Sequence, residues 1–201
     1  CYENKEWVWG YRENDPMGGH DPYSASKGCA ELVFNAYLKS FFSQKKSGDT
    51  TENSGDMTRI LQNSVSCPRN SCQNSPIGAA SARAGNVIGG GDWGADRLDP
   101  DCIRALNGHQ PIGIRSPRAV RPWQHVLEPL GGYLQLAAAL WQDPQKYSEP
   151  WNFGPDDGSH LTVAEMADRL IKYWGDGSWE DLSDPQALHE AKLLKLNCDK
   201  A

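Results

Sequence analysis

The sequence predicts an α/β fold in which parallel strands alternate with helices. From residue 77 onward, short apolar segments of strand character alternate with longer segments of helical periodicity, a pattern typical of parallel sheets. The chain has 201 residues, of which 38% are hydrophobic and 23% are charged. This composition is that of a folded domain rather than a disordered chain, and the length allows a core of ordinary size.

The first predicted element is a long helix from Tyr23 to Phe42. The segment contains few helix-breaking residues, and Pro22 stands at its start, where proline is tolerated. Apolar residues recur at helical spacing along it, at Ala30, Phe34, Tyr37, Leu38 and Phe41.

Residues 43–76 interrupt this regular pattern. They contain seven serines and four asparagines, with only a short apolar pattern from Met57 to Val65, and this composition predicts a surface insertion or a disordered loop. Beyond them, strands are expected at Ile77 to Ala84, Pro111 to Arg115 and Trp151 to Gly154. Helices are expected at Cys102 to Leu106, Pro129 to Gln142 and Leu161 to Trp174.

The charge balance argues against a nucleic-acid partner. The 20 Lys and Arg residues against 26 Asp and Glu residues give a net charge of -6, so no overall basic surface is available for phosphate backbones. No apolar stretch reaches the roughly 18 residues of a membrane span, and Cys1 to Lys5 does not resemble a signal peptide. We expect a cytoplasmic protein without membrane association. Because the chain begins at Cys1 rather than at a methionine, we also expect a fragment.

Cysteine and histidine spacing predicts no metal site. Of the six cysteines only Cys67 and Cys72 are close in sequence, and the second ligand pair of a structural zinc site is missing. The five histidines show no paired spacing. Free thiols are therefore expected, with a local disulfide or metal site at Cys67 and Cys72 as the less favoured alternative.

The first motif with chemical meaning is Tyr23 followed four residues later by Lys27. One helical turn places both side chains on the same face. A neighbouring ammonium favours the phenolate form of a tyrosine, which can then exchange a proton with a substrate hydroxyl. Such a pair also arises by chance in a chain of this composition, so the spacing alone is weak support.

Two further segments are candidates for ligand binding. From Arg83 to Trp93 a strand runs into a loop containing Gly89, Gly90 and Gly91, where backbone can approach a ligand closely. This loop lacks the G-x-G-x-x-G spacing of a dinucleotide site, and a flexible turn is an equal interpretation. The second segment carries Arg121 beside Trp123, which suits a phosphate and a base or sugar, or an ordinary surface pair in which the arginine packs on the indole.

Together these segments resemble the extended short-chain dehydrogenase/reductase family, specifically its NAD-dependent nucleotide-sugar dehydratases and epimerases. The matching segments, in order, are Cys1 to Trp7, Gly10 to Glu13, Asp15 to Lys27, Ala82 to Trp93, Arg121 to Leu130 and Trp151 to Pro155. The resemblance implies part of a Rossmann-like, doubly wound parallel sheet with a smaller mixed α/β substrate-binding region. Residues 1–91, interrupted by 43–76, would belong to the cofactor domain and residues 92–201 mainly to the nucleotide-sugar region.

The resemblance also implies roles for individual residues. Tyr23 would take the proton from the sugar O4, and Lys27 would hold the nicotinamide ribose of NAD. Ala84 and Asn86 would contact the nicotinamide and the sugar. The positions that would face the nucleotide sugar are Asn86, Asp92, Trp93, Arg97, Leu98 and Arg121, with Arg121 at the diphosphate.

The implied reaction converts CDP-glucose to CDP-4-keto-6-deoxyglucose by oxidation at C4, loss of water across C5 and C6, and hydride return to C6. The alternatives are a related epimerase or decarboxylase, or an inactive nucleotide-sugar-binding fragment. The glycine-rich cofactor turn and the Ser/Thr-Asp elimination motif are expected upstream of Cys1, and the isolated chain is expected to be inactive. The complete protein is expected to form a homodimer. One departure from the family pattern is Asp99, where an aliphatic residue is expected.

Overall fold

The computed structural model describes residues 1–42, 77–156, 159–184 and 192–201. The helices are α1 (Pro22–Tyr37), α2 (Leu98–Asn107), α3 (Leu127–Gln142), α4 (Pro144–Tyr147) and α5 (Val163–Trp174). The strands are β1 (Ser81–Ala84), β2 (Asn86–Ile88), β3 (Ile112–Ile114), β4 (Val120–Arg121), β5 (Trp123–His125), β6 (Pro150–Phe153), β7 (Leu161–Thr162) and β8 (Trp179–Asp181). The predicted segment 43–76 and the cysteine pair within it lie outside the described residues.

The predicted first helix is confirmed and has a defined start. Asp21 is extended and caps α1 by accepting a hydrogen bond from the Ser24 backbone N–H at 2.9 Å, while Pro22 occupies the first turn. The cap satisfies an amide that has no partner within the helix, and proline costs nothing where no N–H is needed. Beyond Tyr37 the chain continues as a π-helical turn over Leu38–Phe42.

The described strands pair mainly in parallel, as predicted. The pairs β1–β6, β2–β5 and β3–β8 are parallel, whereas β4–β7 is antiparallel. Between β1 and β2 the chain passes Gly85, where a Cβ would lie 2.5 Å from the Pro122 carbonyl oxygen. Only glycine allows this close approach, which brings the ends of β1 and β2 beside the segment between β4 and β5.

Within the part of the chain that the structure describes, two small cores hold these elements together. The first joins α2, β3 and α5 through Cys102, Leu106, Ile112, Ile114 and Ala167, all buried. The second contains Tyr2, Tyr11 and Leu196, with the Tyr2 and Tyr11 rings stacked at 5.3 Å. The second core therefore ties the first residues of the chain to its last described segment.

Four of the predicted elements are confirmed within a few residues. They are the helices at Cys102 to Leu106 and Pro129 to Gln142 and the strands at Pro111 to Arg115 and Trp151 to Gly154. The strand expected from Ile77 begins only at Ser81. The last helix begins at Val163 rather than Leu161, because Thr162 and Glu165 form a capping box there. None of the described helices has the length and apolar character needed to cross a membrane.

Candidate active site

A cleft of about 990 Å³ brings together most of the residues that the sequence singled out. The predicted site residues that line it are Tyr23, Lys27, Ala84, Asn86, Asp92, Arg97, Leu98 and Arg121. These positions are spread over a hundred residues of sequence and come from α1, β1, β2, β4 and the turn that leads into α2. Trp93 is not part of the lining, and its side chain is 64% exposed.

The first two turns of α1 present the Tyr23 and Lys27 pair. The Lys27 Nζ lies 5.3 Å from the centroid of the Tyr23 ring, so the predicted shared face of the helix is confirmed. Tyr23 is 71% exposed, and its phenol is therefore accessible to a molecule in the cleft. The phenol and the ammonium thus lie side by side at the cleft, where both can contact one bound molecule.

The backbone around Ala84 and Asn86 forms the wall beside this pair. The Asn86 N–H donates to the Pro122 carbonyl oxygen at 3.0 Å, and the Gly85 N–H donates to the Phe153 carbonyl oxygen at 3.3 Å. These bonds use backbone groups only. They fix the junction of β1 and β2 and leave the Asn86 side chain to serve the cleft.

The loop from Asp92 to Arg97 is organised by charged side chains. Asp92 accepts hydrogen bonds from the Gly94 N–H at 3.0 Å and from Arg97 at 2.7 Å, and these two donors lower the pKa of the Asp92 carboxyl. Arg104 of α2 donates to the carbonyl oxygens of Trp93 and Gly94. These bonds connect the loop to α2, with the Trp93 side chain exposed and Arg97 at the cleft.

Arg121 reaches the cleft from β4 and is only 9% exposed. Its Nη1 donates to the Val120 carbonyl oxygen at 3.0 Å. The neighbouring Trp123 donates its indole N–H to the Leu161 carbonyl oxygen at 3.2 Å, so that ring is fixed by β7. Arg121 is therefore a held cation in the cleft wall, suited to an anionic group of a ligand.

Sequence reasoning missed an ion pair beneath the Tyr23 and Lys27 pair. Glu31, one turn after Lys27 on α1, accepts from the Arg83 Nη2 of β1 at 2.7 Å, with side chains 13% and 5% exposed. Ser81 also donates its hydroxyl to Glu31 at 2.8 Å. The signal was available as a carboxylate at the next i, i+4 position after Lys27, but its partner lies 52 residues away in sequence.

Arg83 extends this pair into a buried network. Its Nη1 donates to the Tyr2 hydroxyl at 2.7 Å, and that hydroxyl donates to the Asn152 side chain at 2.6 Å. Burial alone would lower the pKa of the Arg83 guanidinium, but the bonds with Glu31 and Tyr2 outweigh it and raise the pKa above its ordinary value. The network locks α1 to β1 and so fixes the helix that carries Tyr23 and Lys27.

The chain is similar along its whole length to a nucleotide-sugar dehydratase. It is 49% identical over 201 residues to CDP-glucose 4,6-dehydratase of Salmonella typhimurium, a match that covers 100% of this chain and 49% of that protein. No protein-family model matches the chain.

Solved structures share its fold. The dTDP-glucose 4,6-dehydratase of Bacillus anthracis, solved in complex with NAD, matches with a TM-score of 0.63 at 18% identity, over 99% of this chain and 50% of that chain. The UDP-glucuronic acid 4-epimerase of Bacillus cereus, solved with UDP-glucuronic acid and NAD, matches with a TM-score of 0.63 at 15% identity, over 97% of this chain and 49% of that chain. The chain has the Rossmann-like fold of the nucleotide-sugar dehydratases and epimerases.

This finding confirms the predicted fold class, a partial α/β fold with parallel strand pairs. The chain spans about half the length of the dehydratases and of the epimerase that it matches. Its similarity to the Salmonella dehydratase nevertheless covers every residue of the cleft.

Proposed function

We propose that this chain carries the proton-transfer and nucleotide-sugar-binding residues of an NAD-dependent CDP-glucose 4,6-dehydratase, which forms CDP-4-keto-6-deoxyglucose. The observation that carries the proposal is the meeting of Tyr23 and Lys27 with the β1–β2 junction and with Arg121 in one cleft. The 49% identity to the Salmonella dehydratase supports CDP-glucose as the substrate.

The cleft residues of α1, β1 and β2 fit the nicotinamide end of NAD. Lys27 offers an ammonium to ribose hydroxyls, Ala84 leaves space beside the strand end, and Asn86 offers an amide to a polar group. When bound there, NAD supplies the acceptor for the hydride that leaves C4 of the sugar. Tyr23 and Lys27 in this chain would then act on the sugar and on the ribose, respectively.

Tyr23 would take the proton from the sugar O4 as C4 is oxidised. Its exposure at the cleft and the Lys27 ammonium 5.3 Å from its ring support this role. The same phenol would return the proton in a reaction that restores the hydroxyl. Because the proton transfer is reversible, a pair like Tyr23 and Lys27 would suit a dehydratase or an epimerase.

The rest of the cleft would bind the nucleotide sugar. Arg121, a largely buried cation in the cleft wall, suits the diphosphate, because a guanidinium binds phosphate oxygens with two parallel hydrogen bonds. Asn86, Asp92, Arg97 and Leu98 would line the sugar and nucleoside. Trp93 is proposed to approach the ligand only from the rim of the cleft, given its exposure.

A 4-epimerase is the second candidate function. The B. cereus epimerase matches this chain with the same TM-score as the B. anthracis dehydratase, 0.63. Epimerisation needs the same tyrosine and cation but no loss of water, so the mass of the product separates the two reactions. The third candidate is a nucleotide-sugar-binding fragment without activity.

A chimera tests these candidates. This chain would replace the matching half of the Salmonella dehydratase, and the purified chimera would be incubated with CDP-glucose and NAD. We expect a product lighter than the substrate by one water molecule. An isomer of unchanged mass would support the epimerase instead, and a folded chimera that binds CDP-glucose without turnover would support the binding fragment.

Two further expectations stay predictions from the resemblance, namely homodimer formation and a division of the chain at residues 91 and 92. A cytoplasmic location stays a prediction from the sequence composition. Light scattering of the purified chimera would measure its molar mass. A molar mass equal to that of one chain would contradict homodimer formation.

A further inference from the structure

We propose that Arg83 is a positioning residue that holds the Glu31 carboxylate away from Lys27, so that the Lys27 ammonium stays available to NAD in the cleft. The proposal rests on the proposed function where it names NAD as the ligand of Lys27. The side chains of Lys27, Glu31 and Arg83 all line the cleft that also contains Tyr23.

The positions of Lys27 and Glu31 on α1 favour a pair between their two charges. The residues are four positions apart, so one helical turn places both side chains on the same face. Opposite charges at this spacing attract each other, and such a pair would take the ammonium away from a ligand. Among the described residues, however, no carboxylate forms an ion pair with Lys27.

The two side chains turn in different directions instead. The Lys27 Nζ lies 5.3 Å from the centroid of the Tyr23 ring, one turn closer to the start of the helix. The Glu31 Oε2 accepts hydrogen bonds from the Arg83 Nη2 at 2.7 Å and from the Ser81 hydroxyl at 2.8 Å. Both donors belong to β1. The strand therefore binds the carboxylate and leaves the ammonium at the cleft.

Arg83 is itself fixed, so it can hold Glu31 in this direction. Its side chain is 5% exposed, and its Nη1 also donates to the Tyr2 hydroxyl at 2.7 Å and to the Glu13 carbonyl oxygen at 3.0 Å. Without this guanidinium, Glu31 would be a largely buried carboxylate with no compensating charge, which is strongly unfavourable. Lys27, one helical turn away, could then supply the missing cation.

Two other charged groups lie at this end of the cleft. Asp21 accepts hydrogen bonds from the Ser24 N–H at 2.9 Å and from the Ser24 hydroxyl at 2.5 Å, so its carboxylate is engaged by the helix cap. The Cys1 amino group interacts electrostatically with both Glu31 and Lys27. In the chimera this amino group is part of a peptide bond and carries no charge, so the chimera is the suitable protein for the test.

The first measurement is the rate at which acetic anhydride acetylates Lys27 in the folded chimera, followed by mass spectrometry. Lys146, whose Nζ also lies over a tyrosine ring, at 5.0 Å from its centroid, is the internal reference. We expect Arg83→Met to slow acetylation of Lys27 about twofold to tenfold, because an ammonium held by a carboxylate reacts less readily. A helix that is only loosened would react faster, so the two explanations predict opposite signs.

Glu31→Gln is the matched control, because it breaks the same ion pair without leaving a free carboxylate. Acetylation of Lys27 in Glu31→Gln and in the double variant Arg83→Met/Glu31→Gln should proceed at the wild-type rate. Calorimetric titration with NAD should show the same pattern, with Kd raised about twofold to tenfold in Arg83→Met alone. Circular dichroism would establish that each variant is folded at the temperature used. If Arg83→Met does not fold, Arg83→Gln, which is polar but uncharged, carries the same expectations.

Four results would be decisive against parts of this account. Unchanged or faster acetylation of Lys27 in the Arg83 variant would overturn the proposal and leave Arg83 a structural role only. Equal weakening of NAD binding in the Arg83 variant and in Glu31→Gln would do the same. Slower acetylation with unchanged NAD affinity would overturn the link between Arg83 and the cofactor. Failure of the wild-type chimera to bind NAD would contradict the proposed function itself, while the acetylation rates would still test the effect of Arg83 on Lys27.

Discussion

Replacing Arg83 by methionine should strongly destabilise the fold and loosen the helix that carries the catalytic pair. The change keeps most of the side-chain volume but leaves Glu31, whose side chain is 13% exposed, without its cation. Removing one partner of a buried ion pair costs about 3–5 kcal/mol. In a domain of this size each kcal/mol shifts the melting temperature by about 2–4 °C, so a fall of about 6–20 °C is expected.

Thermal unfolding of the 201-residue chain followed by circular dichroism measures this effect, and amide hydrogen exchange along α1 measures the loosening. The double variant Arg83→Met/Glu31→Gln should lose less than Arg83→Met alone, because no uncompensated charge remains. Arg97→Met serves as the matched control, since its ion pair with Asp92 is exposed at 65% and 34% of the two side chains, and it should leave the melting temperature nearly unchanged. A similarly small change in Arg83→Met would refute the reasoning.

The remaining predictions concern the cleft. Tyr23→Phe in the chimera should abolish turnover while CDP-glucose affinity stays within a few-fold, because the change removes the proton acceptor and little contact area; kcat and Kd measured together check this. Arg121→Ala should raise KM about tenfold to a hundredfold through the loss of a charged, bidentate contact to phosphate, and an unchanged KM would mean that Arg121 only packs against its neighbours. Burial raises the pKa of the Asp99 carboxyl in the folded state above its ordinary value of about 4. The ionised carboxylate therefore destabilises the fold at neutral pH. This destabilisation disappears below about pH 4, because the carboxyl is then protonated in both the folded and the unfolded state. Asp99→Asn should therefore raise the melting temperature more at pH 7 than at pH 3.5, and an equal gain at both values would contradict the shift.

Local patterns made much of the fold predictable from the sequence. The α1 helix followed from Pro22 and the apolar spacing after Tyr23, and α3 from an apolar stretch ending at Gln142. These elements are long, so their periodicity is clear. The strands β4, β5 and β8 are two or three residues each. Strands this short have no readable alternation, and their existence depends on partners distant in sequence.

The site residues that belong to a sequence motif were predictable. The residues whose role depends on tertiary contacts were not. Tyr23, Lys27 and Asn86 were singled out from spacing and resemblance, and they meet in one cleft. Glu31 was missed because a charge on a helix is usually solvated, and only the fold brings Arg83 to it. Asp99 was noted as a departure, but only the packing of α2 leaves its Oδ1 buried without a donor among the described residues.

Transfer of deuterium within the substrate tests the central claim most directly. CDP-glucose deuterated at C4 would be converted by the chimera, and the product would be analysed by NMR. The account predicts deuterium at C6 of a 4-keto-6-deoxy sugar, because the hydride removed from C4 returns to C6, and no conversion by the Tyr23→Phe chimera. Conversion by Tyr23→Phe at the wild-type rate, or a product with its deuterium still at C4, would contradict the assignment of this chain's cleft to oxidation at C4.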